Sequence, residues 1–297
     1  MASPASAHAS PIAVATVFDV KALRRTVDAW RRQGRTIGVV PTMGALHEGH
    51  LTLVRRAFEV ADKVVVSVFV NPKQFAPSED FATYPRQLVD DAEKLREEAV
   101  DLIYAPSVAD MYPDGFATHV HVGGVTKGLC GAARPGHFDG VTTVVAKLLL
   151  QTRADAALFG EKDYQQLTAV RRMVQDLNIP CTIVPVATVR EVDGLAMSSR
   201  NAYLLASQRA LAPKLYATLR SMAERLESGR RGPDEVVAWG RGQLEAAGFD
   251  AIDYVELRAA DLGPWRPEQS GRLLAAIHLG ETRLIDNVPV AALADPP

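Results

Sequence analysis

The sequence predicts an α/β protein, with a parallel sheet wrapped by helices and then a smaller α+β domain. Three observations carry this. The stretch Thr36 to Phe58 reads as strand, tight turn and helix. Val64-Val65-Val66-Ser67-Val68-Phe69-Val70 is a near-continuous β-branched run, which suits a strand buried on both faces of a parallel sheet. Past about residue 190, helices are followed by strands without alternation, as in an α+β unit. The length of 297 residues accommodates two domains. The expected division is an Ala/Ser-rich disordered tail at 1–10, a sheet domain at 11–188 and a second domain at 189–297.

In chain order, Val14 to Phe18 is a short strand, and Asp19 caps a helix that ends near Gly34. Thr36 to Val40 leads into Pro41, which cannot donate to a sheet, and Gly44 permits a sharp turn. In the helix that follows, Leu51, Leu53, Val54 and Phe58 fall roughly on one face. The Val64 strand closes a right-handed βαβ unit. Asp80 to Glu98 carries a loop and helix, Leu102 to Pro106 a strand, and Met111 to Gly140 is rich in loops. Val141 to Leu150 is an apolar helix, Ala156 to Phe159 a strand, and Gly160 to Gln166 opens the next helix. Thr182 to Val186 is a further strand. A polar loop at Met197–Asn201 precedes one long helix, Ser207 to Ser228. Pro233 then starts a helix to Ala247, and strands at Ile252–Arg258, Arg272–Leu279 and Thr282–Val288 close the chain.

Composition narrows the function. With 33 basic and 35 acidic residues, the net charge of −2 gives no electrostatic reason to expect nucleic acid or an anionic membrane as partner. No apolar run approaches the ~20 residues needed to span a bilayer. The N-terminus lacks the basic and apolar regions of a secretory signal, so a cytoplasmic protein is expected. The two cysteines, Cys130 and Cys181, form no CxxC pair and read as packing residues.

Four polar clusters fall at strand ends or helix starts: Met43–His50, Asn71–Phe75, Gly160–Gln166 and Met197–Asn201. In open α/β sheets, ligands bind outside the carboxyl ends of the strands, so these clusters describe one crevice. His47 and His50 sit one helical turn apart, where unpaired N–H groups and the positive end of the helix dipole would welcome phosphate. Lys162 adds a point charge, Arg200 a bidentate fork, and Ser198 and Ser199 hydroxyl donors. Asn71, Gln74 and Gln166 suit a small polar substrate. A zinc motif would need histidines at i and i+4; here they lie at i and i+3, with no third ligand evident. Asp90-Asp91 reads either as a solvated helix face or as a magnesium site.

The residues Pro41-Thr42-Met43-Gly44-Ala45-Leu46-His47-Glu48-Gly49-His50-Leu51 resemble the nucleotide-binding signature of the pantothenate synthetases, or pantoate–β-alanine ligases. So do Phe69 to Phe75, Arg134-Pro135-Gly136-His137-Phe138, Gly160 to Gln166 and Met197 to Asn201, in the same order and spacing from about Val14 to Val288. The resemblance implies a Rossmann-like domain of the HIGH-type nucleotidyltransferase group, a C-terminal lid, a homodimer and Mg2+ dependence. It implies the reaction of (R)-pantoate, β-alanine and ATP to pantothenate, AMP and pyrophosphate through pantoyl adenylate. Carried over residue by residue, it makes His47, His50, Lys162, Ser198, Ser199 and Arg200 the catalytic, phosphate-contacting set, with His50 the residue usually labelled proton donor. Met43, Gly44, Ala45, Leu46, Glu48, Gly49, Gly160, Glu161, Asp163, Val189 and Met197 complete the ATP site. Gln74, Gln166 and Asn71 hold substrate, and Asp90 and Asp91 lie near magnesium. Where the wider superfamily carries a lysine before the methionine of its second signature, this chain has Ala196, and Lys162 is expected to supply that cation. The rival readings are a nucleotidyltransferase with another acceptor, a non-catalytic nucleotide sensor and a metal hydrolase.

Overall fold

The structure is a computed structural model that describes residues 14–77, 79–229 and 231–293. The expected N-terminal tail and Arg230 lie outside the described residues.

Six parallel strands form the main sheet: β1 (Thr16–Val17), β2 (Ile37–Thr42), β3 (Lys63–Val68), β4 (Leu102–Tyr104), β5 (Ala156–Gly160) and β6 (Thr182–Val186). Their order is β1-β4-β3-β2-β5-β6. The valine runs explain the centre: Val39, Val40, Val64, Val65 and Val66 are all fully buried. Each such side chain contributes about 1.5–3 kcal/mol of transfer free energy, which holds the strand ends firmly in place. From β2 the chain runs outward to β3 on one side, while β5 pairs on the other. The sheet therefore reverses its order between β2 and β5, and ligands bind at such a switch point.

Helices cover both faces. On one, α1 (Val20–Arg32), α6 (His137–Thr152) and α7 (Tyr164–Asp176) pack through Leu23, Val27, Val144, Leu148 and Met173. On the other, α2 (Glu48–Val60) and α3 (Leu88–Glu97) pack through Leu53, Val54, Ala57 and Leu95. Two short helices, α4 (Val108–Met111) and α5 (Leu129–Ala133), interrupt the loops. Asp19 caps α1 by accepting from the Ala22 amide, as expected.

The C-terminal part pairs β7 (Ala251–Ala259), β8 (Gly271–Leu279) and β9 (Thr282–Val290) in an antiparallel sheet. Helices α9 (Lys214–Glu227) and α10 (Pro233–Ala247) pack on it through Leu219, Met222, Val236 and Leu244. The expected single helix over 207–228 is two, because α8 (Ala206–Leu211) ends before Pro213. Proline lacks the N–H that would continue the helix, and its ring collides with the preceding turn. Helix α6 starts four residues earlier than its apolar pattern indicates, at His137, behind a left-handed Gly136. No described helix is long and apolar enough to cross a membrane.

Candidate active site

One crevice opens at the switch point. Met43, His47, Gly49 and His50 line it from beyond β2, and Gly160, Lys162, Asp163 and Gln166 from beyond β5. Asn71, Gln74, Arg134 and His137 also line it, as do Val189 and Met197 to Arg200. Its volume is about 230 Å³. All four sequence clusters meet here.

The histidine pair caps its own helix. His47 Nδ1 accepts from the Gly49 amide at 3.1 Å, and His50 Nδ1 accepts from the His47 amide at 3.3 Å. The rings lie tilted at 41° to each other, with centroids 4.1 Å apart. An Nδ1 that accepts carries no proton, so each neutral ring holds its proton on Nε2. The electrostatics agree. Burial, then Lys162 and Lys94, lowers His47 to about 4. Burial, then His47 and Lys162, lowers His50 to about 3. The pair thus supplies two neutral N–H donors.

Most of the neighbouring backbone N–H groups are already engaged. The sequence predicts unpaired N–H groups facing an anion, but those of Ala45 and Leu46 donate to the Asp91 carboxylate at 2.9 and 2.8 Å. Those of His47 and Gly49 are taken by the imidazoles. Gly44, at φ +84°, turns the chain so that both loop amides reach Asp91. Lys94 Nζ completes the clamp by donating to the Leu46 carbonyl at 2.6 Å. Gly44, Ala45 and Leu46 therefore shape the loop from behind, and Glu48 points outward to pair with Arg55.

Asp90 and Asp91, expected near magnesium, divide between solvent and core. Asp90 is exposed, while Asp91 is fully buried with both oxygens engaged by the loop. Consecutive helical residues face different directions, which is the physical reason the pair divides. Among the described residues no group of three or more His, Cys, Asp or Glu is placed to hold a metal.

Among the amides, Gln74 Nε2 lies 3.2 Å from Met43 Sδ and its Oε1 accepts from Asn71 Nδ2 at 3.0 Å. Asn71 is 1% exposed, and its oxygen also accepts from Tyr112 Oη at 2.7 Å. With its amide so engaged, Asn71 aims Gln74 instead of offering free donors. Gln166 faces the crevice, whereas the neighbouring Gln165 is buried and ties down the 125–130 loop.

On the cationic side, Lys162 Nζ lies 3.7 Å from Asp163. Burial raises the Asp163 pKa, but Lys162 and Arg200 outweigh it and hold the group below its ordinary value. Glu161 turns away to Arg272 of β8 at 3.3 Å and does not line the crevice. Val189 and Met197 are brought together by a short hairpin, with the Met197 amide donating to the Val189 carbonyl. Ser199 Oγ lies 3.1 Å from Tyr84 Oη. Arg200 forms a bidentate pair with Asp80, at 2.9 and 2.8 Å. Tyr84, Lys94, Asp80 and Glu79 carry no sequence signal of their own, because their partners are distant in the chain.

A sequence model of the family described as "Pantoate-beta-alanine ligase" matches residues 15–289. Pantothenate synthetase of Rhodospirillum rubrum is 56% identical, over 91% of this chain and 97% of its own. That of Caulobacter vibrioides is 53% identical, over 95% and 99%. Among solved structures, pantothenate synthetase from Thermus thermophilus superposes with a TM-score of 0.86 at 47% identity, over 93% of this chain and 99% of that one. Pantoate-beta-alanine ligase from Francisella tularensis, complexed with "Beta-gamma ATP" and beta-alanine, gives 0.79 at 34%, over 93% and 97%. With this sheet, this crevice and these relatives, the chain belongs to the pantoate-beta-alanine ligase family.

Proposed function

We propose that the chain condenses (R)-pantoate with β-alanine at the expense of ATP, by way of pantoyl adenylate, and releases AMP and pyrophosphate. The observation that carries this reading is what the crevice brings together. Cations and N–H donors compatible with phosphate line the same crevice as carboxamides suited to a small hydroxy acid. Adenylation needs a carboxylate held in line with the α-phosphorus and a site that stabilises charge on the phosphate oxygens.

In this reading Lys162 and Arg200 neutralise the triphosphate, Ser198 and Ser199 donate to it, and His47 and His50 add their Nε2–H groups. A buried neutral imidazole acts as an electrostatic donor that need not release its proton. Gln74 and Gln166 hold pantoate, and Met43, Gly160, Asp163, Val189 and Met197 line the nucleotide site. β-Alanine's amine then attacks the activated acyl carbon and expels AMP. Magnesium enters bound to the phosphates of ATP, as part of the substrate. We further infer that residues 189–297 act as a lid, because Ser198 to Arg200 reach the crevice from just beyond β6. The enzyme is expected to be a cytoplasmic homodimer.

ATP–pyrophosphate exchange without β-alanine tests the first step. Exchange that depends on (R)-pantoate supports the acyl adenylate. Measurable ATP binding with no exchange in the presence of pantoate overturns it, and turns the reading toward a nucleotidyltransferase with another acceptor or a nucleotide sensor. Identical small-angle scattering with and without the adenylate would sink the lid.

A further inference from the structure

The motif Arg134-Pro135-Gly136-His137 takes no part in the roles above, yet it lines the same crevice. Its side chains converge on a single backbone atom. His137 Nδ1 lies 2.8 Å from the Gln74 carbonyl oxygen, and Arg134 Nη2 donates to that oxygen at 3.3 Å. The carbonyl can only accept, so His137 carries its proton on Nδ1. Its Nε2 then accepts from Arg134 Nη1 at 3.0 Å. This is the opposite tautomer to that of His47 and His50.

Arg134 is itself fixed. Its Nε and Nη2 both reach Glu79 at 2.6 Å, and the two side chains are 15% and 21% exposed. Burial and the Arg134 guanidinium lower His137 to about 4, which keeps the ring neutral and the tautomer defined. The chain of contacts runs from Glu79 through Arg134 and His137 to Gln74.

A second grip comes from the start of α6. The Gly140 carbonyl accepts from Asn71 Nδ2 at 3.1 Å. A Cβ on Gly140 would lie 2.1 Å from the Lys73 carbonyl oxygen, so helix and turn pack backbone to backbone. The three-residue turn Pro72–Gln74 is too short to hold its own position. Among the described residues, the Gln74 side chain is anchored only through Asn71 and the weak Met43 acceptor.

We propose that Arg134 and His137 are positioning residues for the pantoate subsite: they fix the Gln74 carbonyl and thereby aim the Gln74 carboxamide at the substrate. Neither ring nitrogen of His137 is free to touch substrate, and nearly all of Arg134's donors are used within the protein. Their effect is transmitted through Gln74. The proposal rests on the pantoate reading of those carboxamides.

Two amide replacements separate the halves of the imidazole. In His137→Asn the amide nitrogen takes the place of Nδ1 and can still donate to Gln74. In His137→Gln the amide reaches the Nε2 position, and the bond to Gln74 is lost. The expected result for His137→Gln is a KM for pantoate raised about tenfold or more, with the KM for ATP changed by less than about threefold. His137→Asn should recover most of the loss. Equal behaviour of the two variants, or equal movement of both KM values, would overturn the proposal. A second readout needs no substrate. In protein labelled with 15N-glutamine, the Gln74 side-chain NH2 signal, assigned through Gln74→Ala, should shift in His137→Gln and stay in place in His137→Asn. An unmoved signal in His137→Gln overturns the positioning role by itself. If the wild-type protein instead fails to use pantoate, the substrate reading falls, while the Gln74 signal still decides whether His137 sets that side chain.

Discussion

Replacing Asp91 by asparagine tests what organises the histidine loop. The Asp91 carboxylate is fully buried and accepts from the Ala45 and Leu46 amides at 2.9 and 2.8 Å. Asparagine keeps an oxygen for one amide and turns an NH2 toward the other. One charge-assisted bond becomes neutral, and the other becomes a donor facing a donor. A bond to a charged group contributes about 1.5–3 kcal/mol and an unsatisfied buried donor costs about 1–3, so D91N should lose about 3 kcal/mol of stability. At about 2.1 cal/mol/K per residue over 297 residues, that corresponds to a fall in Tm of roughly 5 °C. Asp90→Asn, at an exposed site, should stay within about 0.5 kcal/mol of wild type. The assay is thermal unfolding, followed by pantoate-dependent ATP–pyrophosphate exchange across a magnesium titration. If Asp91 braces the loop, the D91N rate deficit is the same at every magnesium concentration. An unchanged Tm, with a deficit that magnesium abolishes, would refute the reasoning and return Asp91 to the metal.

Three further outcomes follow from the geometry. His47, His50 and His137 are lowered from 6.5 to about 4, 3 and 4, so the unfolded chain takes up their protons first. Stability is full above pH 6.5 and falls below it by up to about 1.4 kcal/mol per pH unit for each histidine, until pH approaches about 4 for His47 and His137 and about 3 for His50. Urea midpoints that stay flat between pH 6.5 and 4.5 would contradict this, as would an exchange rate that titrates with one of these groups near 6.5. Asp286→Asn breaks the pair with Arg190, at 2.6 and 2.9 Å, where Asp286 is 3% exposed. Leaving the guanidinium unpaired should cost about 3–5 kcal/mol in denaturant unfolding, and a variant as stable as wild type would argue against it. Gly140→Ala forces the α6 backbone away from Lys73; about 1–3 kcal/mol of lost stability is expected, together with a raised KM for pantoate.

The sheet was legible because valine runs and strand–turn–helix punctuation are local signals. The crevice was legible because each polar cluster sits at a strand end, where an α/β sheet places its ligands. What escaped was contact between remote segments. Nothing near Met43–His50 announces that Asp91 and Lys94 clamp the loop, and an adjacent acidic pair looks the same whether it binds metal or divides between solvent and core. The pattern over 207–228 runs straight through Pro213 because apolar residues continue on both sides of the break. The direction of each side chain was equally hidden: Glu161 and Lys162 are neighbours, yet one faces the C-terminal sheet and the other the crevice.

Asn287 of β9 donates from its side chain to the carbonyls of both Glu161 and Lys162, each at 2.9 Å. The C-terminal sheet is thus pinned at the strand end that carries the crevice lysine. The sheet is also held over its face, where Tyr254, Leu274 and Ala276 join the core that α6 and α7 build. Lys162 is therefore set from two sides: the end of a parallel strand carries it, and an antiparallel strand grips its carbonyl. A change that loosens β9 should be felt at the lysine even though it touches no residue of the crevice.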